Sequence, residues 1–206
     1  MKKGRAAALT DCGTISSSMV FASIADLTAG GTDGNVKQEV LMQLYLVQHG
    51  AAKSEAEDPQ RRLTVEGEET VNCMADYLGA LKLRIDRIEH SEKERARQTA
   101  QIMAARLHPA EGTRQVAGMA PNDSIEPGRQ RLQNEPRNLM IVGHLPYLSR
   151  LLSALLLGVQ QDRTLVTFQM GGVVYVDRDG NGEWRLGWIL VPELLPGRTT
   201  QHPSAA

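Results

Sequence analysis

The hydrophobic residues of this chain follow two distinct patterns. Residues 44–47 and 138–142 are short, almost continuous apolar runs, which favour buried β-strands. After Thr64, apolar residues recur three or four positions apart, as on one face of a helix: Val71, Met74, Leu78 and Leu81. Thr64 can cap that helix, because a threonine oxygen accepts hydrogen bonds from free amides of a first turn.

The same patterns predict the other helices and strands. A helix is expected over residues 94–107, with its apolar positions facing inward: Ala96, Ala100, Met103 and Leu107. Another is expected over 146–157, where Gly158 follows its end. The remaining short segments predict strands at 87–91 and 115–117, a polar loop at 121–128, and a closing hairpin formed by 172–176 and 184–191.

Strands that alternate with helices predict an α/β fold. We expect a three-layer α/β/α arrangement, in which a mostly parallel sheet carries helices on both faces and ends in a C-terminal antiparallel hairpin. Residues 1–41 are rich in Ala, Ser, Thr and Gly and show no periodic apolar face. The predicted domain therefore covers residues 42–195, with a disordered or loosely attached extension at 1–41 and a flexible tail at 196–206.

Composition narrows the class of protein. The chain has 206 residues, of which 41% are hydrophobic and 23% charged, and a formal net charge of -1, so nothing points to nucleic acid. No apolar run approaches the roughly 18 residues that span a bilayer. Cys12 and Cys73 are far apart and suggest neither a disulfide framework nor a zinc site. We expect a cytoplasmic monomer that contacts neither membrane nor nucleic acid.

Two histidines stand at the ends of the two buried apolar runs. His49 follows the first run and precedes Gly50, and His144 follows Gly143 after the second run. In open α/β sheets, ligands bind beside the carboxyl ends of the strands. Arginines lie between the two histidines in the sequence, so the pattern predicts a pocket for an anion that one imidazole can attack.

Four short blocks carry a resemblance to a known family. They are Leu46-Val47-Gln48-His49-Gly50, Arg61-Arg62-Leu63-Thr64 with Gly67, Ser91 with Arg95-Ala96-Arg97-Gln98-Thr99-Ala100, and Val142-Gly143-His144-Leu145-Pro146. In this order and spacing the chain resembles the histidine phosphatase superfamily, and within it the short-chain phosphohistidine phosphatases of the SixA type. The resemblance implies a phosphoglycerate mutase-like fold and needs no cofactor or metal.

The resemblance also implies roles for particular residues. His49 would be the nucleophile, Arg61 and Arg95 would bind the phosphoryl group, and His144 would contact its oxygens. Substrate-binding positions carried over in the same way are Gln48, Gly50, Gly143 and, at the rim, Arg62. Gln48 departs from the family, which usually has arginine immediately before the first histidine. Glutamine keeps amide donors but removes a positive charge.

The implied function is hydrolysis of phosphohistidine, on a signalling phosphotransfer protein, through a covalent phosphohistidine on His49. The partner would be a phosphohistidine carrier domain or a small phosphorylated molecule. Two alternatives remain open. One is a phosphate-binding pseudoenzyme that recognises a phosphorylated partner, and the other is a small-metabolite phosphatase or mutase of the same superfamily. No motif selects an acidic proton donor among Glu111, Asp123 and Glu126.

Two further features have simpler explanations. Residues 177–183 match the opening of a calcium-binding EF-hand loop, but the twelfth position is Trp188, where a bidentate glutamate is required. A tight hairpin turn explains that segment better. His90, His108 and His202 belong to none of the four blocks, and we expect all three at the surface.

Overall fold

The computed structural model describes residues 40–158 and 165–196. Most of the predicted N-terminal extension and nearly all of the predicted C-terminal tail lie outside these residues, as does His202. The described elements, in chain order, are β1 (Val40–Gln48), α1 (Val65–Ala80), β2 (Arg87–His90), α2 (Glu94–Leu107), β3 (Thr113–Gln115), α3 (Glu126–Gln133), β4 (Leu139–Gly143), α4 (Tyr147–Leu157), β5 (Val173–Asp179) and β6 (Trp184–Leu190). A short 3-10 helix, Pro192–Leu194, follows β6.

The strands form one six-stranded sheet in the order β3-β2-β4-β1-β5-β6. The pairs β3/β2, β2/β4 and β4/β1 are parallel, whereas β5 pairs with β1 and β6 in antiparallel fashion. The predicted α/β fold with a mostly parallel sheet and a C-terminal antiparallel hairpin is therefore confirmed. Because β1 and β4 lie in the middle of the sheet, the two histidine-bearing segments begin next to each other.

Side chains of β1 alternate between the two faces of the sheet. Tyr45 and Val47 pack into a core with residues of α1 and α2, whereas Leu44 and Leu46 pack with residues of α3 and α4 on the opposite face. Both cores are almost completely removed from solvent. Burial on both faces explains why this strand has a continuous apolar sequence and not an alternating one.

The helices with strong apolar periodicity form where the sequence predicts them. The side-chain oxygen of Thr64 caps α1 by accepting a hydrogen bond from the Gly67 amide at 3.0 Å. Helix α2 covers the predicted residues, with its buried side including Ala96, Ala100 and Met103. Helix α4 ends at Gly158, which has a φ of 71°, a left-handed conformation that glycine adopts at little cost.

Several predicted boundaries differ from the structure. β1 begins at Val40, before the expected domain start at residue 42. β3 lies two residues earlier than predicted. All three of its residues are exposed, so the sequence gives no apolar signal for its true position. Residues 121–128 were predicted as a polar loop, which is wrong for their last part: α3 begins at Glu126, and only Leu132 of its residues is buried.

Residues between β5 and β6 form the expected hairpin turn. The Asp179 carboxylate accepts hydrogen bonds from the backbone amides of Asn181 and Glu183 at 2.9 and 3.0 Å. One oxygen of this acidic segment, Asp179 Oδ1, therefore stabilises the turn itself. Within residues 40–158 and 165–196, no group of three or more histidine, cysteine, aspartate or glutamate side chains is placed to hold a metal ion.

None of the described helices is both long enough and apolar enough to cross a bilayer.

Candidate active site

The candidate site lies where three neighbouring parallel strands end. The backbone amide of His49, just after β1, donates a hydrogen bond to the Gly143 carbonyl at the end of β4, at 3.2 Å. The amide of Ser91, just after β2, donates to the Val142 carbonyl at 3.2 Å. These two bonds continue the sheet by one residue beyond β1 and by one residue beyond β2. They hold His49 and Ser91 at the same edge of the sheet.

The two hydrogen-bond partners of His49 determine which of its ring nitrogens carries the proton. Its Nδ1 lies 2.7 Å from the Gly50 carbonyl oxygen, and a carbonyl only accepts, so Nδ1 carries the proton. Its Nε2 lies 3.1 Å from Arg95 Nε, and a guanidinium only donates, so Nε2 presents a lone pair. The atom able to attack an electrophile is therefore Nε2.

The surroundings of His49 keep its imidazole uncharged. Only 9% of the residue is exposed, and burial is the main cause that lowers the pKa of His49 to about 4. The Gly50 carbonyl acts in the opposite direction, while the charges of Arg95 and Arg61 lower the pKa further. His49 is consequently neutral near pH 7, as a nitrogen nucleophile must be.

Arg95, at the first turn of α2, brings a buried positive charge to His49. The residue is 8% exposed and forms no ion pair with any carboxylate in the part of the chain that the structure describes. Burial lowers its pKa, and the positive charge of Arg61 lowers it further. A buried charge without a counter-ion is costly, so this geometry suits a site that binds an anion.

Arg61 adds a second positive charge from the loop that precedes α1. Its backbone has a φ of 50°, a conformation that costs a non-glycine residue about 1–2 kcal/mol. The Arg61 amide donates to the Asp58 carbonyl at 2.7 Å, and its Nε donates to the Lys53 carbonyl at 3.4 Å. Residues held in such conformations cluster at functional sites. The side chain of Arg61 is exposed, and its charge acts on both site histidines.

His144 faces His49 across the site. The two ring centroids are 4.9 Å apart, with an interplanar angle of 57°. Burial, assisted by His49, Arg95 and Lys93, lowers the pKa of His144 to about 3. Its Nε2 lies 2.6 Å from the Ser91 hydroxyl, and its buried Nδ1 has no hydrogen-bond partner among the described residues.

The other carried-over positions differ in what they can contribute. Gln48 is 9% exposed and lies opposite Gly143 in the sheet register. Its side-chain Oε1 is buried without a partner in the described part of the chain. Gly50 allows close packing, because a Cβ there would lie 2.7 Å from a methyl group of Val71. Gly143 supplies the carbonyl that binds the His49 amide.

Arg62 makes its side-chain contacts away from the two histidines. Its guanidinium pairs with Asp58 at 3.4 Å and donates to Gln60 Oε1 at 2.6 Å, and half of its side chain is exposed. These contacts fit the expected rim position. They leave Arg61 and Arg95 as the arginines whose charges act directly on His49.

Sequence reasoning missed two contacts of α2 that hold the site together. Gln98 Oε1 accepts a hydrogen bond from the Leu63 amide at 2.8 Å and so fixes the loop that carries Arg61. The Thr99 hydroxyl accepts one from the Gly50 amide at 3.1 Å. Both residues stand in the Arg95–Ala100 block, but their partners lie at least 35 positions away in the sequence, where no local pattern can identify them.

The expected surface position of His90 is wrong. His90 is 5% exposed, because it ends an inner strand and pairs with Val142 on one side and Gln115 on the other. Its Nδ1 bonds the Ser91 carbonyl at 2.9 Å. His108, in contrast, is exposed as expected.

The three acidic residues considered as proton donors are each engaged elsewhere. Glu111 pairs with Arg87 and Arg137 at 2.8 and 3.1 Å. Asp123 accepts the Ala120 amide at 2.6 Å. Glu126 pairs with Arg129 at 2.8 Å. None of the three acts on the pKa of either site histidine.

Comparison with known proteins agrees with this arrangement. Residues 44–116 match the model of the histidine phosphatase superfamily (branch 1). The chain is 27% identical to the phosphohistidine phosphatase SixA of Escherichia coli strain K12, over 73% of this chain and 94% of that protein.

Solved structures show the same fold. The structure of the protein histidine phosphatase SixA complexed with tungstate superposes with a TM-score of 0.66 and 26% identity, covering 73% of this chain and 97% of that one. A phosphoglycerate mutase from Plasmodium falciparum superposes with a TM-score of 0.58 and 16% identity, covering 82% and 98%. The second likeness concerns the fold alone.

Proposed function

This chain belongs to the histidine phosphatase superfamily and its homology supports phosphatase activity, and from that premise we propose that it hydrolyses phosphohistidine on a protein. His49 Nε2 is the proposed nucleophile, and Arg61, Arg95 and His144 bind the transferred phosphoryl group. Gln48, Gly50 and Gly143 form the wall of the site beside the nucleophile, and Arg62 lies at its rim.

One observation carries the proposal. Among the residues that the structure describes, no carboxylate pairs with the buried guanidinium of Arg95, which lies 3.1 Å from the unprotonated nitrogen of a buried neutral histidine. A phosphoryl group supplies the missing negative charge and the electrophilic phosphorus at the same place. Arginine suits this task because its planar fork binds two phosphoryl oxygens at once. The tungstate complex of the related SixA is consistent with oxyanion binding in this family.

The proposed reaction has two steps. His49 Nε2 attacks phosphorus in line, so that a P–N bond to His49 forms as the P–N bond to the substrate histidine breaks. The substrate ring takes a proton from solvent on its other nitrogen, so that it departs as a neutral imidazole. A water molecule then attacks the phosphorus on His49, which releases inorganic phosphate and returns His49 to its neutral form. The net reaction consumes one water for each phosphohistidine.

The engaged acidic residues favour phosphohistidine over a phosphate ester. Loss of an alkoxide from an ester requires a proton donor, whereas an imidazole is a much better leaving group. Glu111, Asp123 and Glu126 are tied to arginines or to backbone amides, and none of them bonds His49 or His144. This arrangement supports a labile P–N substrate more than it supports a phosphorylated metabolite.

The test compares three substrates with the full-length protein. Phosphate release is followed from a phosphohistidine carrier domain, from a phosphoserine peptide and from a small phosphate ester. We expect release from the carrier domain to exceed the other two by at least about a hundredfold in kcat/KM, which corresponds to a difference of roughly 2.7 kcal/mol in transition-state stabilisation. The His49→Ala variant controls for spontaneous hydrolysis.

The other outcomes separate the alternatives. Preferential turnover of the ester would favour a small-metabolite phosphatase. Tight binding of the phosphorylated carrier domain without release of phosphate would favour a pseudoenzyme, and Gln48, which lacks the charge of the usual arginine, would then be the first residue to change.

A further inference from the structure

Thr99 connects the two central residues of the proposed site. Its side-chain oxygen accepts a hydrogen bond from the Gly50 amide at 3.1 Å and donates one to the Arg95 carbonyl at 2.8 Å. The residue is completely buried. Its single hydroxyl hydrogen is used by the carbonyl of Arg95, so the oxygen is the acceptor for Gly50, and the direction of both bonds is fixed.

Gly50 links Thr99 to the proposed nucleophile through its amide and its carbonyl. Its amide is held by Thr99, and its carbonyl accepts the Nδ1 proton of His49 at 2.7 Å. Val71 of α1 leaves no room for a side chain at Gly50, so the residue is held between α1 and α2. Together with the Arg95 donor at Nε2, the Gly50 carbonyl determines which nitrogen of His49 is protonated and how the ring is rotated.

We propose that Thr99 is a positioning residue that orients the His49 imidazole through Gly50 and keeps its Nε2 in register with Arg95. The expected effect on kcat rests on the proposed function, whereas the expected effect on the orientation of the His49 ring does not. Thr99 does not contact the substrate. It acts by holding the peptide that follows the nucleophile at a fixed distance from the first turn of α2.

Two substitutions separate the hydroxyl from the volume of the side chain. Thr99→Val has nearly the same shape but leaves the Gly50 amide without its acceptor, whereas Thr99→Ser keeps the hydroxyl. Thr99→Ala replaces Thr99→Val if the latter does not fold. We expect Thr99→Val to lower kcat about tenfold to a hundredfold, since small displacements of a reacting group have effects of this size. Phosphate affinity should stay close to the wild-type value, because Arg61 and Arg95 remain.

A spectroscopic measurement reports on orientation without requiring turnover. Long-range ¹H–¹⁵N correlation of the full-length chain, labelled at its histidines, distinguishes protonated from unprotonated ring nitrogens. In the wild type we expect His49 to show a protonated Nδ1 and an unprotonated Nε2. In Thr99→Val these resonances should move towards a mixture of the two neutral tautomers, and Thr99→Ser should restore them.

Asn138→Ala provides a matched control for lost stability. Asn138 Oδ1 accepts the Gln43 amide at 2.8 Å, so this variant also removes a side-chain acceptor from a backbone amide of the β1 region, but at the opposite edge of the sheet. We expect Asn138→Ala to lower the melting temperature without changing the His49 resonances or kcat.

The results decide the two proposals separately. Unchanged His49 resonances and unchanged kcat in Thr99→Val would overturn the positioning role, as would an equal loss of kcat in Asn138→Ala. If the wild type hydrolyses no phosphohistidine substrate, the proposed function fails, while the resonances of the wild type and Thr99→Val still decide the role of Thr99.

Discussion

At the scale of single residues, the lone pair on His49 Nε2 already accepts a hydrogen bond. Arg95 donates its Nε–H to His49 Nε2 at 3.1 Å, which keeps that nitrogen unprotonated and holds the guanidinium at the proposed anion site. We expect an incoming phosphoryl oxygen to take over the hydrogen bond from Arg95, because a charged acceptor binds a guanidinium more strongly than a neutral imidazole does. The same event would free Nε2 for attack.

The first prediction at this scale concerns Arg95. Vanadate or phosphate should raise the melting temperature of the wild type, because a ligand that binds only the folded state stabilises it. Arg95→Ala should remove most of this increase, since losing a charge-assisted bond of about 1.5–3 kcal/mol weakens binding by roughly tenfold or more. Differential scanning fluorimetry over a series of anion concentrations measures both shifts.

Arg97→Ala is the control for this prediction. Arg97 lies two positions further along α2, is exposed, and pairs with Glu94 at 2.7 Å, so its loss changes the net charge by the same amount without altering the site. We expect its anion-induced shift to match that of the wild type. An undiminished shift in Arg95→Ala would place the anion site elsewhere.

The proximity of His49 and His144 could be predicted from the sequence, but the contacts that hold His49 in place could not. His49 and His144 stand after apolar runs, and parallel strand ends meet at one edge of a sheet, so their proximity follows from the pattern. The bond from Gly50 to Thr99 joins residues 49 positions apart. Such a contact depends on how α2 packs against the end of β1, which the sequence does not display.

At the scale of elements, α1 is held unusually close to the segment that follows His49. A Cβ added at Gly67 would clash with the Ala51 carbonyl oxygen, and the Thr64 amide donates to that same carbonyl at 3.0 Å. The absence of a side chain at Gly67 therefore lets the first turn of α1 contact the backbone beside the proposed nucleophile. This contact also brings Val71 against Gly50.

We predict that Gly67→Ala forces α1 away from this segment. Overpacking of this kind costs about 1–3 kcal/mol of stability, and the displaced helix no longer supports Gly50, so both the melting temperature and kcat should fall. Glu69→Ala, at an exposed position of the same helix, should leave both quantities nearly unchanged. A Gly67→Ala variant with wild-type melting temperature and kcat would show that α1 accommodates the methyl group without cost.

Elements with a buried face were easier to predict than those without one. The sequence predicts helix α2 over its observed residues because its buried positions recur with helical spacing. Helix α3 contains Pro127 and Gly128, and only Leu132 is buried, so the sequence there resembles a loop. β3 is an edge strand with three exposed residues. In both cases neighbouring elements determine the structure, and local sequence preference does not.

At the scale of the whole molecule, the order of strands explains how one edge collects the proposed catalytic groups. β1 and β4 are adjacent and parallel, and β2 follows β4, so three successive strand ends deliver His49, His144 and Ser91 to the same edge. Helix α2 begins directly after β2 and supplies Arg95 there. The antiparallel hairpin pairs with the other side of β1, so the proposed nucleophile follows a strand that is paired along both sides.

The most direct test of this account is whether His49 becomes phosphorylated during turnover. The protein is mixed with a carrier domain that bears radiolabelled phosphohistidine, and the reaction is stopped within one turnover by denaturation at alkaline pH, where phosphohistidine survives. We expect an acid-labile label on the peptide that contains His49, and no label on the same peptide from His49→Asn. Turnover without such a label, or label retained by His49→Asn, would contradict the proposed mechanism.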